Sequence, residues 1–188
     1  MTLWLYTGFI ALLGLERLYE LALSNRNTSH AFANGAVEVG ARHYRVMKAF
    51  HSAFLASCLA EAWLLNRGFP GVTGLVALSL ALLAQALRYW AISTLGARWN
   101  TRVIVMPGTA PITTGPYRFI RHPNYVAVVL EMICVPLVYG SWITAVVFSI
   151  GNAALLAVRI RAEERALGAG WQQAFEDKPR FIPGGRGG

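Results

Sequence analysis

The chain has 188 residues, 55% of them hydrophobic and 14% charged, with a mean hydropathy of +0.44, so its apolar side chains exceed what one soluble core can bury. A net charge of +8 would suggest nucleic acid as the partner of a soluble domain, but here the basic residues lie between apolar runs, the pattern of charge that flanks membrane spans, and no nucleic acid is expected. Cys58 and Cys134 each sit inside an apolar stretch with no Cys or His at ligand spacing, which argues against a disulfide and against any metal site.

A spanning helix needs about 20 mainly apolar residues, and the runs 3–23, 46–65 and 72–92 supply them in chain order. The first run lacks a basic leader and a cleavage signal, so it reads as a retained helix and not as a signal peptide. The apolar region 125–158 is too long for one span. It divides at Tyr139-Gly140-Ser141 into helices 125–139 and 141–158, with Pro136 a kink near the end of the first. The expected fold is a single all-α domain, a bundle of five transmembrane helices, followed by a Gly-rich tail, 184–188, that reads as disordered.

Arg26, Arg42, Arg45 and Lys48 follow the first helix, Arg98, Arg102, Arg118 and Arg121 the third, and Arg159, Arg161, Arg165, Lys178, Arg180 and Arg186 the fifth, leaving Arg67 alone on the other side. The positive-inside rule then puts the N-terminus outside and the C-terminus in the cytoplasm. The connections 24–45 and 94–124 and the C-terminal segment meet on the cytoplasmic face, where a soluble cofactor would bind. Abundant Arg, Ala and Gly beside only two lysines, Lys48 and Lys178, hint at a prokaryotic source and so at a bacterial or archaeal cytoplasmic membrane.

Two segments carry chemistry. In Gly115-Pro116-Tyr117-Arg118-Phe119-Ile120-Arg121-His122-Pro123-Asn124-Tyr125, Pro123 suits the first position of a helix, where its missing N–H costs nothing. His122 then lies at the cap, Tyr125 lies on nearly the same face, and the exposed amides suit a carboxylate or phosphate. An interfacial anchor would use the same residue types. In Arg159-Ile160-Arg161-Ala162-Glu163-Glu164-Arg165-Ala166-Leu167, Arg159 and Glu163 share a helix face while Glu164 points about 100° away. Alone, that segment reads as a solvated helix end with i,i+4 ion pairs.

Together the two segments resemble the isoprenylcysteine carboxyl methyltransferase family, whose pattern runs Gly-x-Tyr, Arg-His-Pro-x-Tyr and, after a helical hairpin, Arg-x-x-x-Glu-Glu-x-x-Leu. The match covers about the C-terminal half. It implies an S-adenosylmethionine-dependent O-methyltransferase in which His122, Pro123, Asn124 and Tyr125 hold the cofactor. It further implies that Tyr117 and a strand-like Thr109, Ala110, Pro111 and Ile112 line the cofactor, that Glu163 binds it, and that Arg159 faces the acceptor oxygen. Ala127 stands where the family often has Gly. The cofactor's carboxylate suits a helix N-terminus and its amine, ribose hydroxyls and sulfonium suit carboxylates. The chain contains no Gly-x-Gly-x-x-Gly, so a soluble nucleotide-binding fold is disfavoured independently.

A carboxylate acceptor is already ionised at neutral pH, whereas a phenol, with a pKa near 10, gains from a general base. On a helix His43, Tyr44, Met47 and His51 share a face. That face reads either as packing at the interface or as an acceptor pocket, with His43 or His51 as base and Tyr44 against the substrate. Membrane O-methyltransferases acting on alkylresorcinols and alkylpyrones are similar here, in the Glu16-Arg17, Ser24-Asn25-Arg26-Asn27 and His43-Tyr44 stretches. For a prokaryotic protein the expected acceptor is such a lipidic phenol or enol, entering sideways from the bilayer, and not a prenylated protein.

Within the spans, Arg17 and Glu131 fall at similar depth and are expected to pair, with Glu16, Glu20, Glu61 and Arg88 the other buried charges. Trp171, Phe175, Phe181 and Ile182 are expected to pack the C-terminal segment over the cofactor or against the membrane face. Two other readings fit the composition. A sterol-type reductase would bind a nicotinamide cofactor, and a non-enzymatic scaffold would bind none and tolerate Glu163→Ala.

Overall fold

The computed structural model describes residues 1–182, with the side chains of Ala41, Arg42 and His43 outside that description. The Gly-rich tail 184–188 also lies outside the described residues. Five α-helices follow in order: α1 (Leu3–Ala33), α2 (Ala41–Leu64), α3 (Val72–Leu95), α4 (Pro123–Leu137) and α5 (Trp142–Ala174). The helix count matches the hydropathy reading, but the bounds and the class need correction. Strands β1 (Val37–Val39) and β2 (Val103–Val105) pair antiparallel, Glu38 opposite Ile104, so the chain is mostly and not wholly helical. The ladder ties the α1–α2 connection to the α3–α4 connection.

The helix ends differ from the apolar runs for a physical reason. Hydropathy marks the part of a helix that seeks an apolar solvent, while hydrogen bonding continues wherever side chains permit. α1 therefore runs ten residues past Leu23, and its polar last turns bury Ser24, Asn27 and Thr28 against the chain at 99–101. α5 likewise continues to Ala174, interrupted only at Gly168, whose φ of 74° lies in the left-handed region.

α3 and α4 form the tightest pair. The buried face of α3 presents Ala77, Ala81, Ala84 and Ala91, small side chains that let the backbones approach closely. Gly74 continues that face; a Cβ there would come within 2.6 Å of the Phe69 ring and 2.9 Å of the Val138 carbonyl oxygen. The main core joins Tyr6, Ile10 and Leu13 of α1, Phe54 and Cys58 of α2, and Val128, Met132 and Val135 of α4. Both cysteines are free buried thiols. The turn between α4 and α5 closes at Gly140, with a φ of 72°, beside Pro136 inside the last turn of α4.

Segments Val72–Arg98 and Trp142–Ala174 are long and apolar enough to cross a membrane, and α4 is a shorter apolar helix. α1 and α2 carry more charge, yet Leu12, Leu15 and Leu18 of α1 are each more than 60% exposed. Together with Leu82, Leu83, Val147 and Ile150 on α3 and α5, they form an apolar surface too extensive for water.

Apart from Glu61, which pairs with Arg67, the buried charges of the helices assemble into one network inside the bundle. Arg17 lies 3.4 Å from Glu131, as its depth in the sequence suggested, but 2.6 Å from Glu20. The principal partner of Glu131 is Arg88, whose Nε and Nη2 donate to its two oxygens at 2.9 and 2.7 Å. Gln85 donates to Glu16 and accepts from Arg17.

Candidate active site

A cavity of about 620 Å³ lies where the α3–α4 connection, the start of α4 and the second half of α5 meet. One wall is the extended chain from Trp99 to Ile112, with the backbone carbonyl of Ala110 held by the Arg98 guanidinium at 2.6 Å. Thr109, Ala110, Pro111 and Ile112 line this wall, but they are irregular; the strand is Val103–Val105. Prolines at 107 and 111 remove the N–H groups a ladder would need there.

The opposite wall begins at α4. His122 is the N-cap residue and Pro123 the first helical residue, as the motif predicts, and the helix start has no side-chain cap. His122, Asn124 and Tyr125 line the cavity; Pro123 does not, being buried as the first residue of the helix. The Asn124 Oδ1 is buried and has no hydrogen-bond partner among the described residues. Tyr117, on a short 3-10 turn at Gly115–Arg118, also lines the space. Burial, with the negative charge of Glu163 adding to it, pushes the Tyr117 phenol well above its ordinary range, so it is a neutral hydroxyl at physiological pH.

Arg159 and Glu163 project from α5 into this cavity. The Glu163 carboxylate accepts from the Tyr125 hydroxyl, and the same hydroxyl accepts from Arg159 Nε at 2.8 Å. Arg159 Nη2 donates to the Thr101 carbonyl at 2.7 Å, and Nη1 lies 3.2 Å from the Met47 sulfur. The adjacent Glu164 takes separate partners, His122 Nε2 at 3.0 Å and Arg180 at 2.8 Å. Burial alone would raise the Glu164 pKa; the Arg180 and His122 contacts outweigh it and hold the carboxyl below its usual range.

Trp171 and Phe175, beyond the Gly168 break, line the cavity and stack at 4.8 Å. Phe175 is only 1% exposed, whereas Phe181 is half-exposed beside the His122 ring and Ile182 is exposed. Residues 176–180 lie across the start of α4. Arg121 holds them through Nε on the Lys178 carbonyl, at 2.6 Å, and its backbone N–H on that of Pro179, at 3.0 Å. Sequence reasoning missed Arg121 and Trp99 as lining residues; no periodicity marks them.

The residues expected on the acceptor side are dispersed. Tyr44 is buried with its hydroxyl 3.2 Å from Thr101 Oγ1, under the guanidinium of Arg102, and does not line the main cavity. His51 is 2.8 Å from the Met47 carbonyl through Nδ1 and lines a second, much smaller cavity with Arg17, Phe54 and Glu131. The His43 side chain is outside the described residues.

The model of the isoprenylcysteine carboxyl methyltransferase (ICMT) family matches residues 76–169, a span from α3 to α5 that contains Tyr117, His122, Asn124, Tyr125, Arg159 and Glu163. Uncharacterized protein YpbQ of Bacillus subtilis is 42% identical over 158 residues, covering 84% of this chain and 94% of that protein. An uncharacterized protein of Haemophilus influenzae is 29% identical over 152 residues, covering 80% of this chain and 88% of that protein. The chain thus belongs to the isoprenylcysteine carboxyl methyltransferase family of membrane methyltransferases.

Proposed function

We propose that this chain is an S-adenosylmethionine-dependent O-methyltransferase of the bacterial or archaeal cytoplasmic membrane that methylates a lipidic phenol or enol of the alkylresorcinol or alkylpyrone type. The observation that carries the reading is one cavity of about 620 Å³, within the usual size of small-molecule sites, that has Glu163, Arg159 and the start of α4 in its walls.

The residues present fit the cofactor. Glu163 and the Asn124 Oδ1, unpartnered among the described residues, offer acceptors to its amine and ribose. The uncapped start of α4 suits its carboxylate, and Tyr117 and Trp171, the latter backed by the buried Phe175, offer flat faces to its base. Bound there, S-adenosylmethionine would supply an electrophilic methyl, the acceptor oxygen's lone pair forming the C–O bond as the S–C bond broke and its electron pair returned to sulfur. Arg159 holds the acceptor oxygen and steadies its negative charge. The proton of a neutral hydroxyl passes to a base, a role for which His43, next to Tyr44 at the start of α2, is the candidate. His51 is turned toward the second cavity.

In this reading all five helices span the bilayer, the cavity faces the cytoplasm, and residues 171–182 cover the bound cofactor. The apolar exposed faces of α1 and α3 support lateral entry of a lipid. The bacterial origin of both relatives favours a lipid over a prenylated protein.

The test is transfer of labelled methyl from S-adenosylmethionine by detergent-purified protein to a 5-alkylresorcinol, a 6-alkyl-4-hydroxy-2-pyrone and N-acetyl-farnesylcysteine. Label on either phenol or enol, lost about 100-fold in Arg159→Met, is expected. Label on farnesylcysteine alone would overturn the assigned acceptor class, and label on none of the three would overturn this reading of the acceptor altogether.

A further inference from the structure

We infer that Ser24 and Thr101 are positioning residues for Arg159: a polar clasp at the end of α1 fixes the guanidinium and leaves Nη1 as the donor that an acceptor oxygen takes. The inference rests on the proposed methyl transfer for its catalytic meaning, but the clasp can be tested without it.

Among the described residues the guanidinium has three partners of unequal quality. Nε and Nη2 donate to oxygens, the Tyr125 hydroxyl at 2.8 Å and the Thr101 carbonyl at 2.7 Å. Among the described residues Nη1 has only the thioether of Met47, at 3.2 Å, a weak acceptor. An acceptor oxygen carrying negative charge displaces the sulfur at little cost, since an anion gives a guanidinium a stronger hydrogen bond than any neutral group does. The other two bonds then decide where that oxygen sits.

Tyr125 is carried by α4, but Thr101 lies in an irregular segment, so its carbonyl is only as well placed as the contacts that hold it. Those contacts come from α1. Ser24 Oγ lies 2.7 Å from Thr101 Oγ1 and accepts from the Thr101 N–H at 3.1 Å. Asn100 donates to Thr28 Oγ1 at 2.7 Å and to the Ser24 carbonyl at 3.3 Å. Asn27 donates to the Trp99 carbonyl at 2.7 Å. On the far side the Thr101 hydroxyl meets that of Tyr44 at 3.2 Å. Ser24, Asn27 and Thr28 are all buried in a turn whose helix ends nearby in Ala33. Such a satisfied buried network is rigid, and misplacing a catalytic group by an ångström costs orders of magnitude in rate.

The direct readout is the guanidinium itself. In ¹⁵N-arginine-labelled protein in detergent, the Arg159 Nε–H signal is assigned by its loss in Arg159→Lys. Ser24→Ala and Thr101→Val are expected to shift this signal toward that of exposed arginines and to speed its exchange with water at least tenfold. Thr101→Ser, which keeps the hydroxyl, is expected to restore the wild-type signal. With an acceptor that turns over, the first two variants raise its KM at least fivefold while the S-adenosylmethionine Kd stays within twofold of wild type. Wild-type Arg159 signals in both Ser24→Ala and Thr101→Val would overturn the clasp. Should Ser24→Ala fail to fold, the Thr101→Val and Thr101→Ser pair decides alone. Failure of the wild type to bind S-adenosylmethionine would instead count against the methyltransferase reading, with the Arg159 signals still deciding the clasp.

Discussion

Glu163 and Glu164 are neighbours in the chain, but about 100° of helix rotation separates their side chains, and each has its own partners. Glu163 faces the cavity with Tyr125, whereas Glu164 joins His122 to Arg180. Glu163→Ala is therefore expected to weaken S-adenosylmethionine binding at least tenfold in calorimetry with little change in the melting temperature. Glu164 should govern the C-terminal segment instead. Its carboxyl is held below the usual range in the folded protein, so its contribution is fully present above the unfolded carboxyl pKa of about 4 and is lost as the pH falls through the folded value. Limited proteolysis after residue 175 should accelerate below about pH 4 in the wild type and already be fast at pH 7 in Glu164→Gln. Equal cleavage of both proteins at pH 7 would deny Glu164 this role. That His122, Asn124, Tyr125, Arg159 and Glu163 line one cavity was legible through the resemblance their types and spacing carry, whereas Pro123 does not line it. The partners of Glu164 were not legible, since Arg180 lies sixteen residues away on a segment without periodicity.

At the scale of elements, Glu61 shows how one buried carboxylate joins two helices. From the last turn of α2 it accepts from the Ile143 and Thr144 N–H groups at 3.2 and 2.7 Å and from the Thr144 hydroxyl at 2.7 Å, capping α5, while Arg67 lies 2.9 Å away. Nothing local marks it as a cap, because Ser141, the N-cap residue of α5, makes no side-chain cap bond. Glu61→Ala leaves the first amides of α5 without their acceptor and is expected to cost about 1–3 kcal/mol, read as a lowered thermal midpoint with S-adenosylmethionine affinity unchanged. An unaltered midpoint would mean that other groups satisfy α5. The helices themselves were legible as apolar runs. The polar extension of α1, 24–33, and the β1–β2 ladder were not, because both depend on contacts between segments more than 60 residues apart.

Across the whole molecule, the network of Glu16, Arg17, Glu20, Arg88 and Glu131 ties α1, α3 and α4 together within an otherwise apolar bundle. The Arg17–Glu131 proximity could be read from helix depth, but the stronger Arg88–Glu131 pair depends on the rotation of α3, which the nearly uniform apolarity of that helix leaves unmarked. Removing one partner of a buried pair strands the other, at a cost of about 3–5 kcal/mol. Arg88→Met should therefore unfold in detergent at a markedly lower temperature, and Arg88→Met with Glu131→Leu should recover part of the loss. No recovery in the double variant would show that Arg88 acts mainly through Glu20.

In the cavity α4 and α5 of the bundle, the α3–α4 connection and a few side chains shape the place assigned to the cofactor. The most direct measurement is calorimetric binding of S-adenosylmethionine and S-adenosylhomocysteine to the folded, detergent-purified protein, beside His122→Ala and Glu163→Ala. Binding to the wild type that both substitutions weaken at least tenfold is the predicted result. Absence of binding to a wild-type protein that unfolds cooperatively on heating, or equal binding to all three proteins, would contradict the assignment of this cavity to the cofactor.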